Sequence, residues 1–159
     1  MIAPQPLPPF ALLSRYAADG GYADCYATEL PGDYSHAEYV AAFYTTWLFK
    51  LERLVLATLV FKPSTDEQAE QLGRAERDAF AAWTVEARAP DQLLVCDYQG
   101  KTRSWLMIER QDGFTKLYFG TGIAGRPLSA FFRGLLPFHK RYARALLRAA
   151  RSRLISARS

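Results

Sequence analysis

The stretch from Trp83 to Ile123 constrains the fold more than any other part of the chain. It divides into four short segments with the pattern of β-strands, and a turn signal separates each segment from the next. The turns are Pro90-Asp91, Gln99-Gly100 and Gln111-Asp112-Gly113. Because so few residues separate the segments, the stretch favours an antiparallel meander whose apolar face must be covered by other elements.

One strand and a first helix are predicted ahead of the meander. Asp24 to Leu30 alternates as a strand does. Ser35 and Glu38 form a capping box at which the helix should begin, and apolar residues at helical spacing continue to about Leu59. These apolar residues are Val40, Phe43, Trp47, Leu51, Leu54 and Val55. The apolar stripe is wide, which predicts that much of this helix is buried.

A second helix is predicted to begin at another capping box. Two pairs fit, Ser64 with Glu67 and Thr65 with Gln68, and the sequence leaves both open. Charged residues spread over most of the positions that follow, so this segment is expected to be an ordinary covering helix with one apolar side.

A long amphipathic helix is predicted from Leu128 to about Ile155. Pro137 lies inside it and is expected to kink or restart the helix. His139 and Tyr142 fall on its apolar side, which should face the sheet. Its opposite side carries the basic residues Lys140, Arg141, Arg144, Arg148 and Arg151.

The charges of the chain are unevenly distributed. From Gly113 onward there are 10 Lys and Arg residues and no acidic residue, whereas the preceding part has 10 basic and 16 acidic residues. The two parts carry +10 and −6, which sum to the net charge of +4. The basic end is interpreted as a solvated face that complements the acidic body, or as a surface for phosphates or an anionic membrane. No nucleic-acid reading motif accompanies it, so nucleic acid is not an expected partner.

The composition and the chain start fit a cytoplasmic protein. Cys25 and Cys96 lie too far apart to suggest a disulfide framework, and free thiols fit a reducing compartment. The segment from Met1 to Phe10 has no charged region and contains four prolines, so a signal peptide is not expected.

These elements together predict one α+β domain, as the length of 159 residues also suggests. The expected architecture is an antiparallel β-sheet with two N-terminal helices and a long kinked C-terminal helix packed on the sheet. Residues 1–22 are expected to form a Pro-rich arm, residues 23–155 the domain and residues 156–159 a basic tail.

The order of elements resembles the helix-grip arrangement of START-type and pollen-allergen-type proteins in the SRPBCC superfamily, over roughly residues 23 to 155. In that arrangement a curved antiparallel sheet wraps a long C-terminal helix and leaves a cavity between them. Those proteins have more strands after the two helices than are readable here, so a narrower sheet or a smaller cavity is expected.

Short phrases of the sequence also resemble an uncharacterised bacterial family, a domain of unknown function. They are Phe43-Tyr44-Thr45-Thr46, Leu51-Glu52-Arg53, Phe80-Ala81-Ala82-Trp83, Thr102-Arg103-Ser104-Trp105, Tyr118-Phe119-Gly120-Thr121 and His139-Lys140-Arg141-Tyr142. This resemblance implies no established activity.

A cavity between sheet and C-terminal helix suits a small apolar or aromatic ligand, and non-catalytic binding of such a ligand is the expected function. The expected polar contacts are His139, Arg103, Tyr142 and Tyr118. The expected apolar walls are Phe43, Trp47, Trp105 and Phe132.

Two other functions stay open. His139 is a candidate acid/base for a cyclase-like or hydrolase-like enzyme, although a buried histidine satisfied by a carbonyl or a tyrosine is the simpler explanation. The third hypothesis is an interaction protein that docks on a partner or a membrane surface through its basic C-terminal helix.

Several charged residues lie within otherwise apolar segments, and the sequence does not say which groups they contact. Arg103 and Glu109 share a strand face, and alternation does not say whether that face is the concave one. Arg53 is expected to reach Glu86 or Asp97 across the sheet. No His or Cys pair has metal-ligand spacing and no phosphate-loop motif occurs, so neither a metal nor a cofactor is expected.

Overall fold

One antiparallel sheet organises the described part of the chain, which comprises residues 1–124 and 130–158 of this computed structural model. Its strands are β1 (Ala3–Pro4), β2 (Tyr22–Pro31), β3 (Ala79–Phe80), β4 (Trp83–Ala89), β5 (Gln92–Asp97), β6 (Thr102–Gln111) and β7 (Phe114–Ile123). They lie in the order β1-β2-β7-β6-β5-β4-β3. The helices are α1 (Ser14–Ala18), α2 (His36–Tyr44), α3 (Trp47–Leu59), α4 (Asp66–Gly73) and α5 (Ala130–Ser156). Of Phe131 and Phe132 only the backbone is described.

The predicted meander is confirmed as the consecutive strands β4 to β7, each paired antiparallel with the next. β2 pairs with β7 along all ten of its residues, which places Asp24 opposite Thr121. α5 packs against β2 and β7 on one face of the sheet. The predicted class, an α+β fold with a helix-grip-like arrangement of sheet and C-terminal helix, is therefore confirmed.

The sheet buries apolar residues on both faces, because alternate residues of a strand point in opposite directions. One face packs against α2, α4 and α5 and contributes Leu106, Ile108, Leu117 and Phe119. The other face contributes Trp105, Met107 and Tyr118 and packs against Ala11 and Leu13. The N-terminal arm thus covers the second face.

Glu86 on β4 anchors the arm to the second face. Its carboxylate accepts hydrogen bonds from the Tyr16 hydroxyl, from Arg15 at 2.6 Å and from Arg103 Nε at 2.9 Å. The Arg103 guanidinium also lies over the Tyr16 ring, 4.7 Å from its centroid. Charged residues of the strands and the arm therefore form hydrogen bonds with one another on the face that the helices do not cover.

The first predicted helix is in fact two helices. α2 begins at the predicted capping box, in which Glu38 N donates to Ser35 Oγ at 3.2 Å and Ser35 N donates to Glu38 Oε2 at 2.7 Å. The chain then leaves the helix at Thr45, and Thr46 Oγ1 caps α3 by accepting from Phe49 N at 3.1 Å. Threonine hydroxyls compete with helical backbone bonds in this way, which apolar spacing alone does not reveal.

The prediction that much of the first helix is buried is wrong for α3. Its buried residues are Phe49 and Arg53, whereas large apolar residues such as Trp47 and Leu59 are exposed. Apolar periodicity predicts which side chains share one side of a helix, but not the direction in which that side faces.

Arg53 is held by the loop before α4 and by the first residue of α4, so the expectation that it reaches Glu86 or Asp97 is wrong. Arg53 Nε donates to Ser64 Oγ at 2.9 Å, Nη2 donates to the Ser64 carbonyl at 2.6 Å, and Nη1 donates to Asp66 Oδ1 at 2.6 Å. A buried guanidinium needs such a set of acceptors, and the nearest polar loop supplies it.

The second capping box is the Thr65 pair. Gln68 N donates to Thr65 Oγ1 at 3.2 Å, and Thr65 N donates to Gln68 Oε1 at 3.1 Å. Ser64, the other candidate, accepts from Arg53 instead. A residue in another helix therefore decides between two caps that local sequence leaves equivalent.

The C-terminal helix α5 continues through Pro137 and does not restart there. Its predicted beginning at Leu128 lies outside the described residues. The buried residues of its second half are Ala143, Leu146, Leu147, Ala150 and Leu154. Just beyond its end, Arg158 Nη2 pairs with Glu38 Oε1 at 2.8 Å, which joins the basic end to α2.

Replacing Ser35 by alanine removes one half of the capping box of α2. The free energy of unfolding, measured by urea denaturation, should fall by about 1 kcal/mol. Ser152→Ala, at an exposed position inside α5, is the control and should change it by less than about 0.5 kcal/mol. Equal losses in the two variants would contradict the capping role.

Candidate functional site

A cavity of about 330 Å³ lies between the helix-covered sheet face, α3 and the first half of α5. Its apolar walls include Phe43, Phe49, Trp83, Phe119, Ile123, Leu136 and Leu146. Leu135 and Phe138 also line it and are 43% and 70% exposed, so the cavity opens to solvent beside them. Sites for small molecules commonly have volumes of roughly 300 to 1,000 Å³, and this one lies at the small end of that range.

The first polar group of the cavity is a chain of hydrogen bonds that ends at His139. Asp24 Oδ1 accepts from the Thr121 backbone N–H at 3.1 Å and from the Thr121 hydroxyl. Asp24 Oδ2 accepts from the Tyr22 hydroxyl at 2.7 Å. Thr121 Oγ1 in turn lies 2.8 Å from His139 Nε2. The pairing of β2 with β7 puts the carboxylate and the threonine side by side beneath α5.

The hydroxyl of Thr121 decides the tautomer of His139. It has one proton, which it donates to Asp24, so its oxygen accepts from His139 Nε2. The neutral imidazole then carries its proton on Nε2 and a lone pair on Nδ1.

Burial lowers the pKa of His139, and the positive charge of Lys140 lowers it further. The carboxylate of Asp24, with Oδ2 at 3.8 Å from Nε2, raises it but does not reverse the shift. His139 is therefore mainly neutral at pH 7, and the proton on Nε2 serves the hydrogen bond to Thr121.

The second polar group is the carboxyl of Glu52, which α3 turns into the cavity. The Tyr142 hydroxyl donates to Glu52 Oε2 at 2.6 Å. Burial raises the pKa of Glu52, and the bond from Tyr142 opposes this increase. Among the described residues no cation pairs with Glu52, so its carboxyl retains capacity for further hydrogen bonds.

Two buried donors near the cavity have no protein partner within the described chain. Trp83 lines the cavity, and its Nε1 donates to no described group. The Tyr44 hydroxyl is likewise unpartnered, and its ring packs against Phe43 and Phe49 with centroid distances of 5.2 and 4.8 Å. Buried donors of this kind are rare because each one costs free energy, so they point to a place where a further acceptor fits.

Three of the predicted site residues, His139, Tyr142 and Phe43, lie on the cavity wall. Arg103 borders the cavity, but its guanidinium points to the opposite face and binds Glu86. Trp47 is exposed outside the cavity. The side chain of Phe132 lies outside the described residues.

The expectation that Trp105 and Tyr118 wall the same cavity is wrong. Both lie on the arm-covered face, where Trp105 Nε1 donates to Gln92 Oε1 at 2.9 Å and the Tyr118 hydroxyl donates to Glu109 Oε2 at 2.5 Å. The physical reason is the alternation of strands, which groups residues by face but does not say which face the long helix covers.

Thr121, Glu52 and Trp83 on the cavity wall were not predicted as site residues, and neither was Asp24, which accepts a hydrogen bond from Thr121. Asp24 and Thr121 become neighbours only through the pairing of strands that are distant in sequence. The sequence does contain a signal that Glu52 and Arg53 have different environments, because consecutive residues of a helix point about 100° apart. Glu52 therefore cannot share the surroundings of Arg53.

Neither a metal nor a membrane span is indicated by the described residues. They contain no group of three or more His, Cys, Asp and Glu side chains that could hold a metal ion. None of their helices is long and apolar enough to cross a membrane.

The strand order and the helix placement define a helix-grip-like α+β protein. No protein-family model and no curated protein matches the sequence. Among solved structures, CalU16 from Micromonospora echinospora is 13% identical, with 98% of this chain and 92% of that chain covered and a TM-score of 0.32. The resemblance to an uncharacterised bacterial family stays a prediction.

The lowered pKa of His139 predicts how stability depends on pH. As the pH falls below about 6.5, the unfolded chain takes up a proton before the folded chain does, so the free energy of unfolding falls. Each such proton changes it by at most about 1.4 kcal/mol per pH unit. His139→Gln should make this decline shallower in urea denaturation at a series of pH values.

His36 provides a comparison for this measurement. Burial lowers the pKa of His36 as well, and its Nε2 donates to the Leu106 carbonyl at 3.2 Å. His36→Gln should likewise make the fall in the free energy of unfolding at low pH shallower. A slope that His139→Gln leaves unchanged would contradict the neutral, buried state of His139.

Proposed function

We propose that the protein binds a small apolar or aromatic molecule in the cavity between the sheet and α5, without catalysing a reaction. The observation that carries this proposal is the combination of apolar walls with Glu52 and His139, two polar groups that hydrogen bonds orient. Sites for small molecules typically combine an apolar lining with a few well-placed polar groups.

The apolar lining supplies the driving force for binding. Each Å² of apolar ligand surface removed from water contributes about 25 cal/mol. Phe43, Phe119 and Leu146 provide such surface from α2, β7 and α5, so three elements contact the ligand. The cavity volume of about 330 Å³ restricts the ligand to a small molecule.

The polar groups indicate what the ligand carries besides its apolar body. Glu52 offers acceptor capacity, and the indole N–H of Trp83 offers a donor. A hydroxyl both donates and accepts, so an apolar molecule with a hydroxyl matches both groups. We therefore infer a ligand of the phenol or aliphatic alcohol class.

The experiment compares β-naphthol with naphthalene as probes, using fluorescence titration. β-Naphthol should bind more tightly, because Glu52 accepts from its hydroxyl. Glu52→Gln should weaken its binding about tenfold, since a hydrogen bond to a charged group contributes about 1.5 to 3 kcal/mol. Binding of naphthalene should be unchanged.

Glu109→Gln is the matched control for this experiment. Glu109 also accepts from a tyrosine hydroxyl, that of Tyr118, but on the arm-covered face of the sheet. It should leave the binding of both probes unchanged. Equal losses for the two glutamate variants, or wild-type protein that binds neither probe, would contradict the proposal.

The hydrogen bonds from Asp24 through Thr121 to His139 favour a second candidate function, acid–base catalysis by His139. This chain orients an imidazole with a lone pair on Nδ1, as a general base requires.

β-Naphthyl acetate tests the second candidate, because its hydrolysis releases fluorescent β-naphthol. Catalysis by His139 should show a pH–rate profile with a pKa below the usual value of histidine, and His139→Gln should abolish the turnover. Turnover that is equal in wild type and variant would exclude His139 as the base.

A further inference from the structure

An exposed apolar surface covers the outer side of α3. Its residues, which we call the α3 apolar face, are between 51% and 85% exposed: Trp47, Leu51, Leu54, Val55, Leu59 and Phe61. Those within the helix recur at spacings of three and four residues, so they lie along one side. Soluble monomers rarely expose a contiguous apolar surface of this kind without a use for it.

Arg53 holds the α3 apolar face toward solvent. Its guanidinium is buried on the opposite side of α3, where Ser64 and Asp66 accept its hydrogen bonds. It also lies 5.6 Å from the centroid of the Phe80 ring. Rotation of α3 to bury its leucines would break this set of bonds and expose the cavity carboxyl of Glu52.

The helix that carries the α3 apolar face also contributes Phe49 and Glu52 to the cavity. Phe138, on the rim, is 70% exposed and stacks on Tyr142 with a centroid distance of 6.3 Å. The Tyr142 hydroxyl binds Glu52 of α3. The exposed Phe138 ring on the rim is therefore linked to α3 through Tyr142 and Glu52.

Basic residues are exposed on or next to the two helices that carry this surface. Lys62 follows α3, and Arg133, Lys140 and Arg141 lie on the first half of α5, which contains no acidic residue. The sole acidic residue of α3, Glu52, faces the cavity instead. An apolar helix face flanked by lysine and arginine is the pattern of helices that lie in the interface of an anionic membrane.

Phe61 is exposed although its backbone conformation is unfavourable for an aromatic residue. It follows α3 with a φ of 55°, a left-handed conformation that favours glycine, and Lys62 N donates to the Leu56 carbonyl at 3.0 Å around it. An aromatic residue here is strained, and it is 85% exposed, so the fold gains nothing from its burial. Its ring is available to an external apolar phase.

We propose that the α3 apolar face docks on the surface of an anionic lipid membrane, with the mouth of the cavity beside the lipid. The apolar side chains enter the boundary between headgroups and acyl chains, and the flanking basic residues contact the anionic headgroups. This surface centres on α3, and it shares only Lys140 and Arg141 with the basic stripe of the C-terminal helix that sequence analysis considered for docking.

Vesicles of equal parts phosphatidylcholine and phosphatidylglycerol test this proposal with the full chain. The protein should sediment with them and should bind less at high salt, whereas vesicles of phosphatidylcholine alone should bind it several-fold more weakly. Trp47, which is exposed, should give a blue shift in tryptophan emission, and Trp47→Phe should remove that shift.

Two variants separate docking from folding. The double variant Leu54→Gln with Leu59→Gln should lower the partition coefficient by about tenfold or more, because two exposed leucines no longer enter the lipid. Phe61→Gly should also weaken docking, while its thermal stability stays the same or rises. Phe10→Gln, an equally exposed apolar position on the arm, should leave docking unchanged.

Three results would overturn the proposal. The first is equal binding to the two kinds of vesicle, and the second is equal loss in Phe10→Gln and in the leucine double variant. The third is a dimer in analytical ultracentrifugation that the double variant converts to a monomer, because a second copy would then be the occupant of the α3 apolar face. None of these results depends on whether β-naphthol binds in the cavity.

Discussion

The pairing of β2 with β7 is the interaction on which the rest of the structure depends. It joins the beginning of the domain to the last strand of the meander over ten residue pairs, and both strands then contact α5. Without it the Asp24 carboxylate would have no path to Thr121 and His139. Such pairings between distant segments cost chain entropy, and a long continuous register supplies the hydrogen bonds and side-chain contacts that offset this cost.

Arg53 has a comparable role for α3. Three hydrogen bonds to Ser64 and Asp66 fix the rotation of the helix about its axis. Because neighbouring helix positions point about 100° apart, burial of Arg53 on one side aims Glu52 at the cavity and leaves the leucines outside. One ion-pair cluster thus explains both the polar group in the cavity and the apolar face that we propose to meet a membrane.

The two polar groups of the cavity respond to burial in opposite ways. Burial lowers the pKa of His139 and raises the pKa of Glu52, since in each case the charged form loses hydration. Both shifts have the same cause, so a charge on a bound molecule would also lose hydration in this cavity. This favours an apolar ligand with a hydroxyl over a strongly charged one, which agrees with the mainly apolar walls.

The sequence by itself determined several elements: the meander with its turns, the capping box at Ser35, the long basic helix and the α+β class. These follow from local periodicity and from residues such as Ser35 and Glu38 that interact within one turn. Only the tertiary structure decided which faces are covered. It placed Trp105 and Tyr118 beneath the arm, turned the apolar side of α3 outward and joined Asp24 to Thr121. Periodicity groups side chains on a face, but the partner of that face is set by strand pairing and by buried charges that are remote in sequence.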